Sequence, residues 1–166
     1  MFGLFKLLPV GTQAPDFTLP GVGPNGPEPE PVSLASFKEA GKSVILVFYP
    51  ADFTPVCTAQ LCEMNDTLIN GLSDDTTTQK HAIAVLGINP GKAATHQKFA
   101  AEHRLGFPLL VDEGAKVASL YKAVLVPGLV NNRAVYGIDP QGIIRFAQFG
   151  KPTVQKVLEV LYPSAI

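Results

Sequence analysis

The chain has 166 residues, 46% of them hydrophobic and 16% charged, with a net charge of −1. That balance excludes a disordered chain and leads us to expect a single domain over 1–166 with a buried core. Scattered lysines and arginines leave no basic patch for nucleic acid or an anionic membrane, and no apolar run approaches the roughly 18 residues that cross a bilayer.

Along the chain, Met1–Val10 is apolar but short, carries Lys6 within it and lacks a small-residue cleavage site. It reads as a mature, cytoplasmic N-terminus. Asp16–Leu19 reads as a short strand, and the Pro- and Gly-rich stretch Pro20–Pro31 as a loop without regular structure. Ser33 caps a short helix through Ala40, and Val44–Phe48 is a continuous apolar, largely β-branched run of strand length. A helix from Pro55 aligns Leu61, Met64, Leu68 and Leu72 on one face. Strand Ala82–Ile88, helix Ala93–His103 and strand Phe107–Val111 then alternate, and Asp112 caps a helix to Tyr121. Ala134–Ile138 and Ile143–Phe149 flank Asp139–Gly142, whose Asp, Pro and Gly suit a type I turn and hence a hairpin. Thr153–Leu161 closes the chain as an amphipathic helix. Parallel crossovers followed by an antiparallel hairpin and a terminal helix define the α/β class, as an α/β/α sandwich with a mixed central sheet.

Both cysteines lie just beyond the apolar strand. Thr54 suits an N-cap and Pro55 the first helical position, so Val56 falls at N2 and Cys57 at N3. At N3 a side chain meets unpaired backbone N–H groups and the positive end of the helix dipole, which favour an anionic sulfur. The placement therefore predicts a reactive thiolate, in the slot where a capping box holds a carboxylate. Read alone, Cys57 also fits a small buried hydrophobe on the core-facing stripe. Cys62 sits about 140° around the helix from it. Two cysteines are too few for a disulfide-built scaffold, and a C-x4-C pair with remote His81, His96 and His103 matches no usual zinc spacing, so we expect neither metal nor cofactor. The histidines read as surface or helix-flank residues, Tyr49 and Phe53 as core or pocket lining, Glu63 and Asp66 as solvated charges, and Arg145 as a surface cation.

The segment FYPADFTPVCT over 48–58 resembles the Pro-x3-Thr-x2-Cys motif of the peroxiredoxins, with Pro50, Thr54 and Cys57 in register. APDFTL over 14–19 and RAVYGIDPQGII over 133–144 are similar to the opening strand and the Arg-containing hairpin of the PrxQ, or bacterioferritin comigratory protein, subgroup. Val56 departs from the subgroup's common Gly, and Gln60 from its common Glu. The resemblance implies a thioredoxin-like fold, peroxide as oxidant, Cys57 as peroxidatic cysteine and Cys62 as resolving cysteine. Arg133, the Thr54 hydroxyl and the amides of Val56 and Cys57 are then the candidate stabilisers of the departing oxygen, and Pro50, lacking an N–H, a pocket wall. Arg133 also suits the plainer role of covering an edge strand with its stem.

Residues five apart on an intact helix have Cα atoms roughly 8.6 Å apart, whereas a disulfide seldom tolerates more than about 7 Å. Formation of a Cys57–Cys62 bond thus predicts unwinding over about Pro55–Glu63. The exposed, strained bond would need an external dithiol such as thioredoxin. An intrahelical partner requires no second subunit, so a monomer is expected. Two other readings stay open: a one-cysteine peroxidase in which Cys62 has no role, and a non-enzymatic redox-sensing or holdase module.

Overall fold

The computed structural model describes residues 6–70, with side chains through 67, and residues 83–163. Its centre is a seven-stranded mixed sheet. One interior strand, β5 (Ser43–Phe48), is buried at all six positions, as its unbroken apolar run requires of a strand covered on both faces. On one side it pairs in parallel with β6 (Ile83–Asn89), which pairs in parallel with β7 (Leu109–Val111). On the other it pairs antiparallel with β10 (Ala134–Ile138), the first strand of a hairpin with β11 (Ile144–Phe149). The hairpin forms around the expected turn, where the Gly142 N–H donates to the Asp139 carbonyl at 2.9 Å.

Alternate side chains of β5 point to opposite layers. Ile45 and Val47 join a core with Val85, Leu109 and Val135 beneath α2 (Pro55–Met64), α3 (Ala93–His103) and α5 (Val154–Leu161). Val44, Leu46 and Phe48 join Leu86, Ile88, Tyr136 and Ile138 beneath α1 (Leu34–Glu39) and α4 (Lys116–Leu120). This is the expected α/β/α sandwich. The cap at Ser33 holds as read, and Thr153, read as the first residue of the last helix, caps α5 instead; each side chain accepts from the N–H three residues on. The bounds Ala93–His103 are also as read.

Several elements differ from the sequence reading. Pro20–Pro31 is not irregular throughout: β2 (Gly21–Gly23) and β3 (Gly26–Pro27) form a hairpin that extends the sheet beyond β7. Gly and Pro serve the edge here instead of breaking it. A Cβ on Gly21 would come within 3.1 Å of the Leu110 and Val32 side chains, Gly26 turns at φ 132°, and Pro27 lies on the outermost strand, where a missing N–H costs no ladder bond. The opening strand shrinks to β1 (Thr18–Leu19), paired with β4 (Val32–Ser33). Asp112 caps α4 across an intervening 3-10 turn, accepting from the Val117 and Ala118 amides at 3.0 and 2.9 Å. Val124–Val126 (β8) and Val130–Asn131 (β9) make a small separate hairpin before Arg133. On the stripe of α2, Leu61 and Met64 are buried, the helix continues in π form over Asn65–Asn70, and the Leu68 side chain, Leu72 and His81 lie outside the described residues.

Candidate active site

The C-terminal end of β5 delivers the chain to a tight loop before α2. Tyr49 and Pro50 leave the strand, Phe53 takes a left-handed conformation at φ 63°, and Thr54 occupies the N-cap position in extended conformation. A left-handed non-glycine residue is uncommon and marks a loop held by its surroundings. Here the hold is visible. The Asn89 amide donates to the Tyr49 and Pro50 carbonyls at 2.8 and 2.6 Å, and the Tyr49 hydroxyl donates to Asp52 at 2.6 Å. His96 Nδ1 lies 2.5 Å from Asp52 Oδ2, with side-chain exposures of 0% and 2%. Burial, followed by the charge of Asp52 and its hydrogen bond, pushes the Tyr49 phenol well above its ordinary range and keeps it a donor.

With Pro55 at N1 and Val56 at N2, Cys57 stands at N3 as read, buried and facing the sheet among Val47, Tyr49 and Leu61. The Thr54 carbonyl accepts the first helical bond, from the Thr58 N–H at 2.9 Å. Its hydroxyl does not cap. It donates instead to the Ala51 carbonyl at 3.3 Å, so the loop's own backbone wins over the helix end. The Val56 and Cys57 amides have no partner further back in the helix.

The distant element meets them because of register. Ala134 pairs with Phe48 on one side and Phe149 on the other, which sets Arg133 level with the end of β5. Arg133 Nη1 donates to Cys57 Sγ at 3.2 Å and to Gln60 Oε1 at 3.1 Å. The structure thus brings Cys57 and Arg133 together and places Thr54 and Pro50, both half-buried, on the adjoining loop. Cys62 lies on the other flank of α2, partly exposed, and both cysteines are free. Burial, and then the charge of Asp66, pushes the Cys62 thiol up from its ordinary value. Arg145 is a surface cation as read, half-exposed and paired with Asp139 at 2.7 Å.

Sequence reasoning missed three members of the site. His96 is fully buried, not on a helix flank as read, because it faces the buried carboxylate of Asp52. Asn89 anchors the loop, and Gln60, only 3% exposed, contacts the same guanidinium as Cys57. Gln60 had a signal: three residues after Cys57, it shares that helix face. Asn89 and His96 had none local to the loop. Among the described residues no cluster of three His, Cys, Asp or Glu side chains is arranged to hold a metal, and no helix is long and apolar enough to cross a membrane.

Both the sequence and the fold have counterparts among known proteins. The sequence model of the AhpC/TSA family matches residues 10–147, and the chain belongs to that family. A chloroplastic peroxiredoxin Q of Triticum aestivum is 37% identical over 140 residues, which cover 82% of this chain and 57% of that protein. The alkyl hydroperoxide reductase E of Mycobacterium tuberculosis is 35% identical over 149 residues, 88% of each chain. The crystal structure of the peroxidoxin BcpB from Mycobacterium tuberculosis superposes with a TM-score of 0.75 at 24% identity, covering 93% of this chain and 97% of that one. AhpC of Enterococcus faecalis gives 0.77 at 20% identity, with 94% and 92% covered. These two likenesses carry the fold, and they are thioredoxin-like peroxiredoxin structures.

Proposed function

We propose that the protein is a thiol peroxidase that reduces hydrogen peroxide and organic hydroperoxides, with Cys57 as the peroxidatic and Cys62 as the resolving cysteine. The observation that carries this reading is the 3.2 Å contact of Arg133 with the sulfur of a cysteine at helix position N3.

In the first step the Cys57 thiolate attacks the outer oxygen of the peroxide. The S–O bond forms as the O–O bond breaks, sulfur is oxidised to the sulfenic acid, and water or an alcohol leaves after taking a proton. Ionisation alone is a minor part of the acceleration. A free thiol of pKa about 8.5 is already about 3% ionised at pH 7, so full ionisation gains at most about 30-fold. The larger contribution comes from donors in place before the charge shifts to the departing oxygen. The fork of Arg133 and the free amides of Val56 and Cys57 supply them. The Thr54 hydroxyl joins if it turns from Ala51, and Pro50 walls the pocket.

In the second step the Cys62 thiol attacks the sulfenic sulfur, forming the disulfide and releasing water. Both cysteines lie on the intact α2, so the helix unwinds over about Pro55–Glu63 for the sulfurs to meet. An external dithiol of the thioredoxin type then returns both thiols, itself becoming a disulfide. We place this activity in a single domain that acts as a cytoplasmic monomer.

The test is consumption of NADPH with hydrogen peroxide, thioredoxin and thioredoxin reductase. Turnover by the wild type, none by Cys57→Ser, and a single stalled oxidation trapped as sulfenic acid in Cys62→Ser are expected. Inertness of the wild type with every dithiol offered, together with binding of unfolded clients after oxidation, would replace the enzyme with the holdase reading. Sustained turnover by Cys62→Ser would leave a one-cysteine peroxidase.

A further inference from the structure

Both ends of the stretch that carries the two cysteines are pinned. Upstream, the loop of Tyr49 and Pro50 is held by Asn89, and Asp52 by His96. Downstream, the Asn65 amide donates to the Arg104 carbonyl at 3.2 Å and accepts from the Gly106 N–H at 2.7 Å. Between these anchors, among the described residues, α2 is tied to the sheet by directional side-chain bonds at only two positions, Cys57 and Gln60.

Gln60 uses both ends of its amide. Oε1 accepts from Arg133 at 3.1 Å, and Nε2 donates to the Gly150 carbonyl at 3.4 Å. Those two partners belong to one spot. Arg133 precedes β10 and Gly150 follows β11, and the Gly150 N–H donates to the Arg133 carbonyl at 2.8 Å. One buried amide therefore clasps the open end of the hairpin, from a position between Cys57 and Cys62. No carboxylate lies within ion-pair distance of Arg133 among the described residues. The amide orients the guanidinium without neutralising it, and a neutral acceptor releases more readily than an ion pair.

We propose that Gln60 is a positioning residue that acts as the latch of α2: its two bonds set how often the helix opens, and so how fast oxidised Cys57 meets Cys62 before a second peroxide reaches it. This rests on the resolving role given to Cys62 above. When the latch holds, the sulfenic acid stays under Arg133, where another peroxide converts it to the sulfinic acid with loss of water or alcohol. When it opens, the disulfide forms and that route closes.

The experiment compares wild type, Gln60→Met, which keeps length and apolar bulk but neither bond, and Gln60→Glu, which keeps the acceptor for Arg133. Amide hydrogen exchange over 58–63 is read on the reduced protein without peroxide, with α3 as internal reference. The peroxide-independent phase of disulfide formation and the sulfinic acid formed under excess peroxide are read by mass spectrometry. In Gln60→Met, exchange over 58–63 is expected to rise about tenfold, as loss of one charge-assisted bond implies. Disulfide formation should rise with it and sulfinic acid fall, while Gln60→Glu, whose tighter ion pair with Arg133 offsets the lost donor to Gly150, stays within about threefold of wild type. Unchanged exchange in Gln60→Met, an equal rise across α3, a disulfide rate that does not follow the exchange, or a Glu variant as open as the Met variant would each overturn the latch. If exchange rises but no disulfide forms in any variant, including wild type, the resolving role of Cys62 fails and this use of the latch with it. The exchange data identify that case separately.

Discussion

Arg133 donates to the sulfur of Cys57 at 3.2 Å although 76 positions of sequence separate the two residues. The contact requires the three-strand register of β5, β10 and β11, so the chemistry of the cysteine depends on the pairing of the sheet. Replacing Arg133 by Met should lower the second-order rate of Cys57 with hydrogen peroxide by about 10²–10³, the usual effect of losing a fixed donor at a developing oxyanion. Lys, which keeps the charge but not the planar fork, should recover only part of the loss. Competition kinetics on the reduced protein measure both. A Met variant reacting at the wild-type rate would remove Arg133 from the site.

Burial and, secondarily, Asp66 push the Cys62 thiol up, so the folded helix retains a proton that the unwound segment releases. The helix is therefore most favoured below the ordinary thiol value of about 8.5 and loses that contribution as pH rises from there through the higher folded value. Amide exchange over α2 should therefore increase above pH 8 by more than its intrinsic rise. Asp66→Asn removes the smaller cause and leaves burial. Disulfide formation near pH 8 should quicken by about two- to fivefold, with the difference shrinking in high salt. A slower Asn variant would contradict the electrostatic account.

The buried Asp52–His96 pair ties the loop before Cys57 to α3. Removing one member leaves the other without its partner in the core, at a cost of about 3–5 kcal/mol. His96→Leu and Asp52→Asn should each lose stability of this order in urea unfolding. The double variant should lose less than the sum, because the two act as a unit. Strict additivity would mean that the pair is not coupled.

Asp139 closes the β10–β11 turn. Burial alone would raise its carboxyl, but the Ile143 N–H, the Arg145 guanidinium and the Gln141 N–H outweigh it and hold the group below the ordinary carboxylate range. Stability from this carboxylate is thus present above the unfolded value near about 3.9 and is lost as pH falls through the lower folded one. Asp139→Ala should cost about 1–2 kcal/mol at pH 7, and the gap from wild type should narrow only in acid below about pH 4. A gap that persists unchanged at low pH would assign the loss to backbone effects.

Much of this molecule could be read where a signal is local. Thr54 and Pro55 placed Cys57 at N3 through backbone preference alone, and the turn-forming Asn89-Pro90-Gly91 placed the start of α3 just beyond it. The same local logic failed where a partner elsewhere in the chain competes. The Thr54 hydroxyl turns to Ala51 instead of the helix, and Pro20–Pro31, rich in residues that break structure, pairs with β7 because an edge strand tolerates them. His96 carries no local mark of burial, since its partner Asp52 lies 44 positions away.

Residue order by itself determined the alternation of strands and helices and the helix start that carries the sulfur, because φ, ψ preferences and side-chain periodicity act within a few residues. What surrounds that sulfur was decided by the tertiary structure. Arg133, Gln60, Gly150 and the Asn89 and His96 anchors converge only after strands far apart in sequence pair in one register, and no short-range preference encodes that distance.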